Sequence, residues 1–467
     1  MNLYSVMLLG YLLALVGIGL IGVRKVSTQE DFSVAGRSLN TFVLFGTMLA
    51  TWIGTGSIFG NAEKTYEVGI AAFIIPIGSL AGIAILSFLA ARARGLKQIT
   101  IQDLLEKRYN STARVLGVVA LVLAYLTIVS YQYRAAGAVL NLVFPEISYN
   151  AAVVFSAAFI IVYTAIAGMV SIARIGLIQG ITIIGGILVT LPVFFYRAGG
   201  FSGMRAVLGS ERFELFGPIG LLEALGLILP AMLLVLGDAN MYQRFFSARS
   251  AGTARNAILW TLGGVALMEL AIIVTAWVAS SLEPDLEIPG RVIAYAARDY
   301  LPPLLGAVLL TTIMAIVLST AGSYLLSPST ALVRDIYQRF INPGASERSL
   351  VILLRVVVVC AGLCSYWLAT LSEEFLSVAL LAYTIYGASI TPSLIASFFW
   401  RRATARGAVA SIFSGILVTL LWKWLGPEVV DPVLPAIAVS LLALILVSLV
   451  DSPPPEEKVR PFFEKNS

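Results

Sequence analysis

The sequence predicts an all-α polytopic membrane protein. Hydrophobic residues occupy 59% of its 467 positions and charged residues only 12%, and the mean hydropathy is +0.92. Soluble domains carry about twice that share of charged residues. Apolar runs of about 20 residues, each long enough to cross about 30 Å of hydrocarbon, recur between short polar segments. These runs predict about thirteen transmembrane helices in one membrane domain at 1–452, followed by a polar tail at 453–467.

The first apolar run, 3–22, is expected to remain in the mature protein. It has no basic segment before it and no small-residue cleavage site after it, so it lacks the features of a signal peptide. We number it span zero. Spans one to twelve are predicted near 41–60, 69–90, 113–143, 149–168, 171–197, 221–243, 253–281, 303–333, 350–371, 374–399, 405–425 and 433–450.

A short helix is predicted between spans two and three, outside the hydrocarbon. The segment "TIQDLLEKRY" begins with Thr100, a favourable N-cap residue, and places Asp103 three positions later. This spacing is that of a capping box, in which the two side chains satisfy each other's backbone N–H groups.

Basic residues are concentrated in the loops that follow spans zero, two, four, six, eight and ten. By the positive-inside rule these loops are cytoplasmic, which places the N-terminus outside and the C-terminus inside the cell membrane. An odd number of spans is consistent with this orientation. The net charge of +5 therefore reflects membrane topology and does not indicate a nucleic-acid partner.

The composition argues against an enzyme. The chain has no histidine and only two cysteines, Cys360 and Cys364, which lie one turn apart on an apolar helix and are expected to be packing residues. There is no Walker loop, no strand-bounded GxGxxG and no Cys or His metal cluster. We expect no catalytic residues.

Span one contains an unusual segment, "ATWIGTGSIFGNAE", from Ala50 to Glu63. Its glycines and small hydroxyl residues make a helix break inexpensive, and backbone leaves the helix at membrane depth only where it is buried in protein or lines a polar cavity. The alternative is that the small residues only permit close helix packing.

Span eight carries adjacent hydroxyls, Ser319 and Thr320, within "AIVLSTAGSYLLSPSTALVRDIY". Together with the carbonyls of a broken helix they would form a neutral cage of hard oxygens, which suits Na+ rather than a soft metal. The alternative is that both hydroxyls bond back to carbonyls of their own helix.

Four segments in matching order resemble the sodium:solute symporter family: "GRSLNTFVLFGTMLATWIG", "GDANMYQRFF", "IVLSTAGSYLLSPSTALVRDIY" and "TPSLIASFFWRRATARGAVASIFSG". The resemblance implies a LeuT-like fold, in which two five-helix repeats of opposite topology surround a midplane site. The repeats would occupy 41–197 and 221–399, with broken helices in spans one and six. Span zero and the spans at 405–450 would be additions.

The resemblance also implies a sodium site. It would consist of the backbone carbonyls of Ala50, Ile53 and Ile316 and the hydroxyls of Ser319 and Thr320.

Some relatives have a second cation site that depends on an aspartate, and the aligned residue here is Gly176. We therefore expect one Na+ per solute. Proton coupling remains an alternative, although the chain offers no histidine and no evident carboxylate beside Ser319.

Trp52 is the main candidate for a solute-pocket wall. Its surroundings resemble the first span of choline transporters, and its ring could hold an organic cation by a cation–π interaction. The other aromatic positions of that cage hold Ser79, Ile128, Asp238 and Ala379. The protein is therefore not expected to be a choline carrier.

The resemblance to other members of the family implies further candidate solute-binding residues. Of the polar positions used by sugar carriers only Ser57 retains a hydrogen-bonding group, and sialic-acid carriers place an arginine at Thr127. Arg134 lies further outward, where it would catch a solute carboxylate or pair structurally. On span three Tyr131 shares a face with Thr127 and Arg134, whereas Gln132 and Tyr133 should turn elsewhere.

Spans six and ten contribute the last candidate solute-binding residues. Asp238 would face an ammonium group or form hydrogen bonds at an inner gate, while Glu269 in span seven has no assigned role. Tyr383 and Thr384 are expected at a gate or pocket wall. The candidate solute-binding residues are Trp52, Ser57, Ser79, Thr127, Tyr131, Arg134, Asp238, Tyr383 and Thr384.

The sequence thus predicts a Na+-coupled symporter that imports a small organic solute by alternating access. A zwitterion or carboxylate, such as an amino acid or betaine, is favoured because Arg134, Trp52 and Asp238 together offer both charge signs. The alternatives are a proton-coupled carrier of the same fold and a non-transporting membrane sensor. The expected partners are the solute and the lipid bilayer, with no nucleic acid and no indication of an obligate protein partner.

Overall fold

The computed structural model describes residues 2–23, 28–371, 374–427 and 429–463. Within these ranges the ordered elements are helical, apart from one isolated bridge between Leu39 and Ala248. The predicted all-α class is confirmed. The last four residues of the predicted tail, 464–467, lie outside the described residues.

The α-helices are, in chain order, α1 Leu3–Val23, α2 Gln29–Val34, α3 Thr41–Trp52, α4 Asn61–Val68, α5 Ile75–Ser87, α6 Ala90–Gly95, α7 Ile101–Arg108, α8 Ser111–Val143, α9 Tyr149–Arg197, α10 Gly200–Leu208, α11 Leu221–Gly237, α12 Ala239–Ser247, α13 Ala251–Leu282, α14 Val292–Asp299, α15 Pro303–Ala331, α16 Glu347–Ala369, α17 Leu376–Phe399, α18 Ala405–Leu425, α19 Val433–Val450 and α20 Glu456–Phe463. Two π-helical segments adjoin them: Gly56–Gly60 precedes α4 and Leu332–Ile341 follows α15.

Among the described residues, 11 helical stretches are long and apolar enough to cross a membrane. Two shorter apolar helices, Leu3–Gly17 and Thr41–Trp52, fall at spans zero and one. The polytopic architecture is therefore as predicted, whereas the count of thirteen spans stays a prediction. Spans four and five correspond to two of the 11 stretches, Tyr149–Ile166 and Ile175–Arg197, and both lie within the continuous helix α9. The sequence between them contains no proline, so no residue there lacks a backbone donor.

Two spans are broken, as the family resemblance implies. In span one, α3 ends at Trp52 and Ile53 adopts an extended conformation, with φ −69° and ψ 98°. In span six, Asp238 separates α11 from α12 with φ −62° and ψ 113°. The Asp238 side chain accepts a hydrogen bond from the N–H of Met241, which caps α12 and replaces a bond lost at the break.

Helix α15 lies at the centre of the bundle. In the span formed by α15 and its π-helical extension, 83% of the most apolar window is buried, whereas the corresponding figure is 28% for α18 and for α19. Helix α15 packs against α3, α8 and α9. Because α3 carries the first break, this packing brings the broken backbone against the middle of span eight.

The predicted capping box at the start of α7 is present, with Thr100 and Asp103 bonded to each other's backbone N–H groups. Asp103 also forms ion pairs with Arg114 of α8 and with Arg334. Burial alone would raise the pKa of Asp103, but the two guanidinium groups outweigh it and hold the pKa below its usual value. The cluster fastens α7 to the ends of spans three and eight.

Candidate functional site

A cavity lies beside the break in span one, and we call it the central cavity. Helices α5, α8, α11, α13, α15 and α17 complete its wall around the broken segment. The lining residues are Thr51, Trp52, Gly54, Gly56, Ser57, Asn61, Ile75, Pro76, Ser79, Ile128, Tyr131, Gln132, Ala231, Glu269, Thr320, Tyr324, Leu376, Ala379, Leu380 and Tyr383.

Two glycines of the broken segment allow neighbouring helices to approach its backbone. A Cβ atom on Gly54 would lie 2.8 Å from the hydroxyl oxygen of Thr320, and one on Gly56 would lie 2.7 Å from that of Tyr383. Both distances are shorter than ordinary van der Waals contact. The small residues of this segment therefore accompany a helix break and also permit close helix packing. The two alternatives considered from the sequence, a broken helix and close packing, are both present.

The five residues expected to bind sodium lie together. Ser319 Oγ is 2.5 Å from the carbonyl oxygen of Ala50 and 2.8 Å from that of Ile316. Thr320 Oγ1 is 3.4 Å from the carbonyl oxygen of Ile53. We call these three carbonyls and two hydroxyls the oxygen cluster.

The oxygen cluster combines the two arrangements considered from the sequence. Ser319 bonds back to its own helix at Ile316 and also reaches across to Ala50. Thr320 turns to the broken segment instead, where it donates to the carbonyls of Thr51 at 3.3 Å and of Ile53. These hydroxyl protons can rotate away, which would turn oxygen lone pairs towards a cation.

The chemistry of the donor set suits a hard monovalent cation. All five oxygens are neutral, so they would compensate Na+ by coordination rather than by opposite charge. Among the described residues no group of three His, Cys, Asp or Glu side chains could hold a metal ion. At Gly176, a Cβ would lie 2.8 Å from Thr47 Oγ1 and 3.0 Å from Thr47 Cα. The packing of α3 on α9 therefore leaves no room there for a carboxylate.

Arg244 of α12 forms hydrogen bonds with residues next to the oxygen cluster. Its side chain is fully buried, and Nη2 donates to Thr51 Oγ1 at 2.5 Å and to Ser323 Oγ at 3.0 Å. One guanidinium thus connects spans one, six and eight beside the candidate ion site. This role of Arg244 was not predicted from the sequence, where the residue belongs to the segment "GDANMYQRFF". A charged residue at the end of an apolar helix suggests a position in a loop.

Five of the nine candidate solute residues line the central cavity: Trp52, Ser57, Ser79, Tyr131 and Tyr383. The hydroxyl oxygens of Tyr131 and Tyr383 are 3.4 Å apart. Because these tyrosines come from spans three and ten, their contact joins two walls of the cavity.

The other four candidates lie outside the lining. Thr127 donates to Leu123 of its own helix, and Arg134 donates to the carbonyl of Ala369 at 3.0 Å. Thr384 is buried away from the cavity.

Asp238, the fourth of them, accepts hydrogen bonds from the N–H of Met241 and from the hydroxyl of Tyr324 at 2.9 Å. Its partners are therefore protein groups, as in the hydrogen-bonding alternative. Tyr324 itself lines the central cavity, so Asp238 is connected to the cavity through one side chain.

The cavity also contains polar residues that sequence reasoning did not place there. Gln132, expected to turn away, lines the wall and accepts a hydrogen bond from Thr55. Glu269 accepts from Ser57 Oγ and from Asn61 Nδ2, both at 2.7 Å. The available signal for Glu269 was a carboxylate in the middle of an apolar helix, which is expensive unless it has a function.

Comparisons with known proteins agree with this geometry. The model of the sodium:solute symporter family matches residues 32–415. The sodium/proline symporter of Haemophilus influenzae is 26% identical over 489 aligned residues, covering 97% of this chain and 95% of that protein. The sodium/pantothenate symporter of Escherichia coli is 26% identical over 467 residues, covering 94% and 95%.

Solved structures show a similar fold. A Na+-coupled sialic acid symporter in a substrate-bound, outward-open state has a TM-score of 0.83 at 19% identity, covering 96% of this chain and 98% of that chain. Mhp1, a nucleobase-cation-symport-1 family transporter, gives 0.61 at 13% identity in a closed conformation, covering 92% and 97%. At these identities the likeness establishes the architecture alone.

Proposed function

Because the chain belongs to the sodium:solute symporter family, we propose that one Na+ at the oxygen cluster and one solute in the central cavity are moved together by alternating access. The protein is a multi-pass membrane transporter that couples Na+ to the movement of a small organic solute, and it is not an enzyme. Both ligands would meet the same broken segment of span one.

The meeting of span one and span eight is the observation that carries the Na+ site. Ser319 lies between the carbonyls of Ala50 and Ile316, and Thr320 lies beside that of Ile53. A cation shared by these oxygens would hold α3 against α15. A single ion per cycle is proposed because the position of Gly176 has no space for the carboxylate that a second cation site would need.

For the solute we propose a small zwitterion, such as an amino acid or betaine. Trp52, Tyr131 and Tyr383 supply aromatic and hydroxyl surface to the cavity, and Ser57 and Ser79 supply further polar groups. The helical stretch that resumes at Gly56 begins at the cavity wall, and helix N-termini favour carboxylates. The proline and pantothenate carried by the two named relatives both contain a carboxylate.

Coupling follows from the shared segment. If Na+ fixes the break in an outward-open arrangement, it prepares the residues that face the solute, and each ligand then raises the affinity for the other by the same factor. By analogy with the family's fold, spans three, four, eight and nine form the scaffold, and spans one, two, six and seven move as a bundle. The repeats would occupy 41–197 and 221–399.

The proposed setting is the cell membrane, with the N-terminus outside and the C-terminus in the cytoplasm. The distribution of basic residues among alternate loops supports this orientation. The lipid bilayer and the solute are the proposed partners, and no obligate protein partner is invoked.

The test is equilibrium binding of radiolabelled Na+ to purified protein. Ser319→Ala combined with Thr320→Ala should abolish saturable binding of about one ion, because two of the five proposed ligands are removed. The matched control is Ser329→Ala with Thr330→Ala, a second buried Ser–Thr pair on α15. Equal binding by both variants would refute the site.

A further inference from the structure

We propose that Glu269 is the electrostatic partner of the solute, and that the solute carries a positively charged nitrogen which this carboxylate binds in the central cavity. This inference deepens the proposed function and rests on it, since it assigns the solute to the same cavity. It also states which part of the proposed zwitterion the cavity recognises, namely its cationic nitrogen, and it argues against a carboxylate that lacks one.

The position of Glu269 is the first observation. It lies on α13 with 3% of its surface exposed, yet it belongs to the wall of the cavity. Its Oε1 accepts from the hydroxyl of Ser57 and its Oε2 from the amide of Asn61, each at 2.7 Å. The carboxylate is therefore held in one orientation by two neutral donors on one helical stretch of span one.

The charge balance of the cavity is the second observation. Among the described lining residues Glu269 has the one charged side chain, and no lysine or arginine joins it in the wall. Two neutral hydrogen bonds compensate a buried carboxylate only in part, because an uncompensated buried charge costs several kcal/mol. Each carboxylate oxygen can accept a further hydrogen bond. A cationic nitrogen in the cavity would supply the missing charge.

The remaining wall fits such a group. Trp52, Tyr131 and Tyr383 contribute aromatic rings, whose faces attract cations. An anion without a cationic group would instead meet the negative charge of Glu269 in a site of low dielectric, where like charges repel strongly. The cavity therefore selects for a cationic nitrogen and against a plain carboxylate.

Glu269 is also connected to the ion site through the chain. Ser57 and Asn61, which orient it, follow Ala50 and Ile53, whose carbonyls belong to the oxygen cluster. Fixing the break by Na+ would thus fix the two donors that hold the carboxylate. Cation binding at Glu269 should accordingly require Na+.

Two matched pairs of probes isolate the charged nitrogen. Choline is compared with dimethylbutanol, its uncharged carbon isostere, and L-proline with tetrahydrofuroate, in which oxygen replaces the ring nitrogen. Binding is measured as Na+-dependent thermal stabilisation of the purified full-length protein in lipid nanodiscs. The variants are Glu269→Gln, which removes the charge at nearly constant shape, and Glu269→Asp, which keeps it. Glu223→Gln is the matched control, since Glu223 lies outside the cavity and pairs with Lys64 at 2.8 Å.

Wild-type protein should bind the member of each pair that has a cationic nitrogen at least about tenfold more tightly than the member that lacks it. Glu269→Gln should abolish this preference, Glu269→Asp should keep part of it, and Glu223→Gln should keep all of it. Equal stabilisation by the members without a cationic nitrogen, or an unchanged preference in Glu269→Gln, would overturn the inference. So would proton uptake that accompanies transport and disappears in Glu269→Gln, because the carboxylate would then carry a proton instead of binding the solute.

Radiolabelled Na+ binding without solute separates this inference from the proposed function. Absence of saturable Na+ binding to wild-type protein would refute the ion site itself. Intact Na+ binding together with no preference for the probes that have a cationic nitrogen would refute only the role of Glu269.

Discussion

Replacement of Gly54 by alanine should weaken Na+ binding without changing any proposed ligand. A Cβ at this position would lie 2.8 Å from Oγ1, 2.9 Å from Cγ2 and 3.3 Å from Cβ of Thr320. Ordinary carbon contacts need about 3.5–4.0 Å, so Thr320 must move by about 0.5–1 Å. A rotation of its side chain cannot relieve the clash, because both branches of the side chain are too close.

The displacement removes one of the five oxygens from the proposed cluster. A contact with a charged partner contributes about 1.5–3 kcal/mol, so the dissociation constant for Na+ should rise about ten- to hundredfold. The assay is equilibrium binding of radiolabelled Na+ to purified protein, with thermal stability recorded in parallel.

Gly263→Ala is the matched control for this variant. Gly263 lies within α13, and a Cβ there would meet nothing within 4 Å. This variant should bind Na+ as wild-type protein does, with equal or higher stability, because alanine favours a helix over glycine. If Gly54→Ala folds and binds Na+ with wild-type affinity, the close approach of Thr320 to the broken segment plays no part in ion binding.

Three further predictions concern residues around the site. Trp52→Ala should weaken solute binding about tenfold while Na+ binding without solute stays near normal, as measured by labelled-solute and labelled-Na+ binding; loss of Na+ binding would make Trp52 a packing residue. Arg244→Lys should lower Na+ affinity several-fold, because one ammonium group cannot reproduce the hydrogen bonds of the guanidinium group to Thr51 and Ser323. Unchanged affinity would show that Arg244 does not support Na+ binding. Asp103→Asn should lower the thermal midpoint at neutral pH, since breaking a buried pair costs about 3–5 kcal/mol. Because the pKa of Asp103 is lowered in the folded protein, its ionised carboxylate stabilises the fold at pH values above 3.8, the usual pKa of aspartate. The difference in thermal midpoint between Asp103→Asn and wild-type should therefore shrink as the pH falls below 3.8 towards the folded-state pKa. An equal difference at low pH would argue against the ion pairs.

Part of the proposed ion site could be predicted because it depends on local chemistry. Glycines and hydroxyls at membrane depth in "ATWIGTGSIFGNAE" indicate a break wherever the segment packs. Adjacent hydroxyls at Ser319 and Thr320 need a partner in an apolar environment, and the carbonyls freed by the break are suitable partners. The family resemblance then implied which carbonyls would join them, those of Ala50, Ile53 and Ile316.

The solute site could be predicted only in part, because helical periodicity gives the direction of a side chain and not its depth. Thr127, Tyr131 and Arg134 share one face of α8, yet only Tyr131 lines the cavity. Residues seven positions apart differ by about 10 Å along a helix axis, and the cavity occupies a limited depth. The opposite error occurred at Gln132, which reaches the wall although its neighbours define a different face.

By itself, the sequence determined the membrane class and the break in span one, because each depends on hydropathy or backbone chemistry within one segment. The break in span six and the five candidate oxygen ligands were implied by the family resemblance. The tertiary structure alone decided that Glu269 enters the cavity and that Arg134 does not. Glu269 reaches the wall because α13 packs against α4 and the π-helical segment before it, where Asn61 and Ser57 bind its carboxylate. Arg134, in contrast, is bound by the carbonyl of Ala369. A buried charge lies where its hydrogen-bonding partners are, and those partners come from segments distant in the chain.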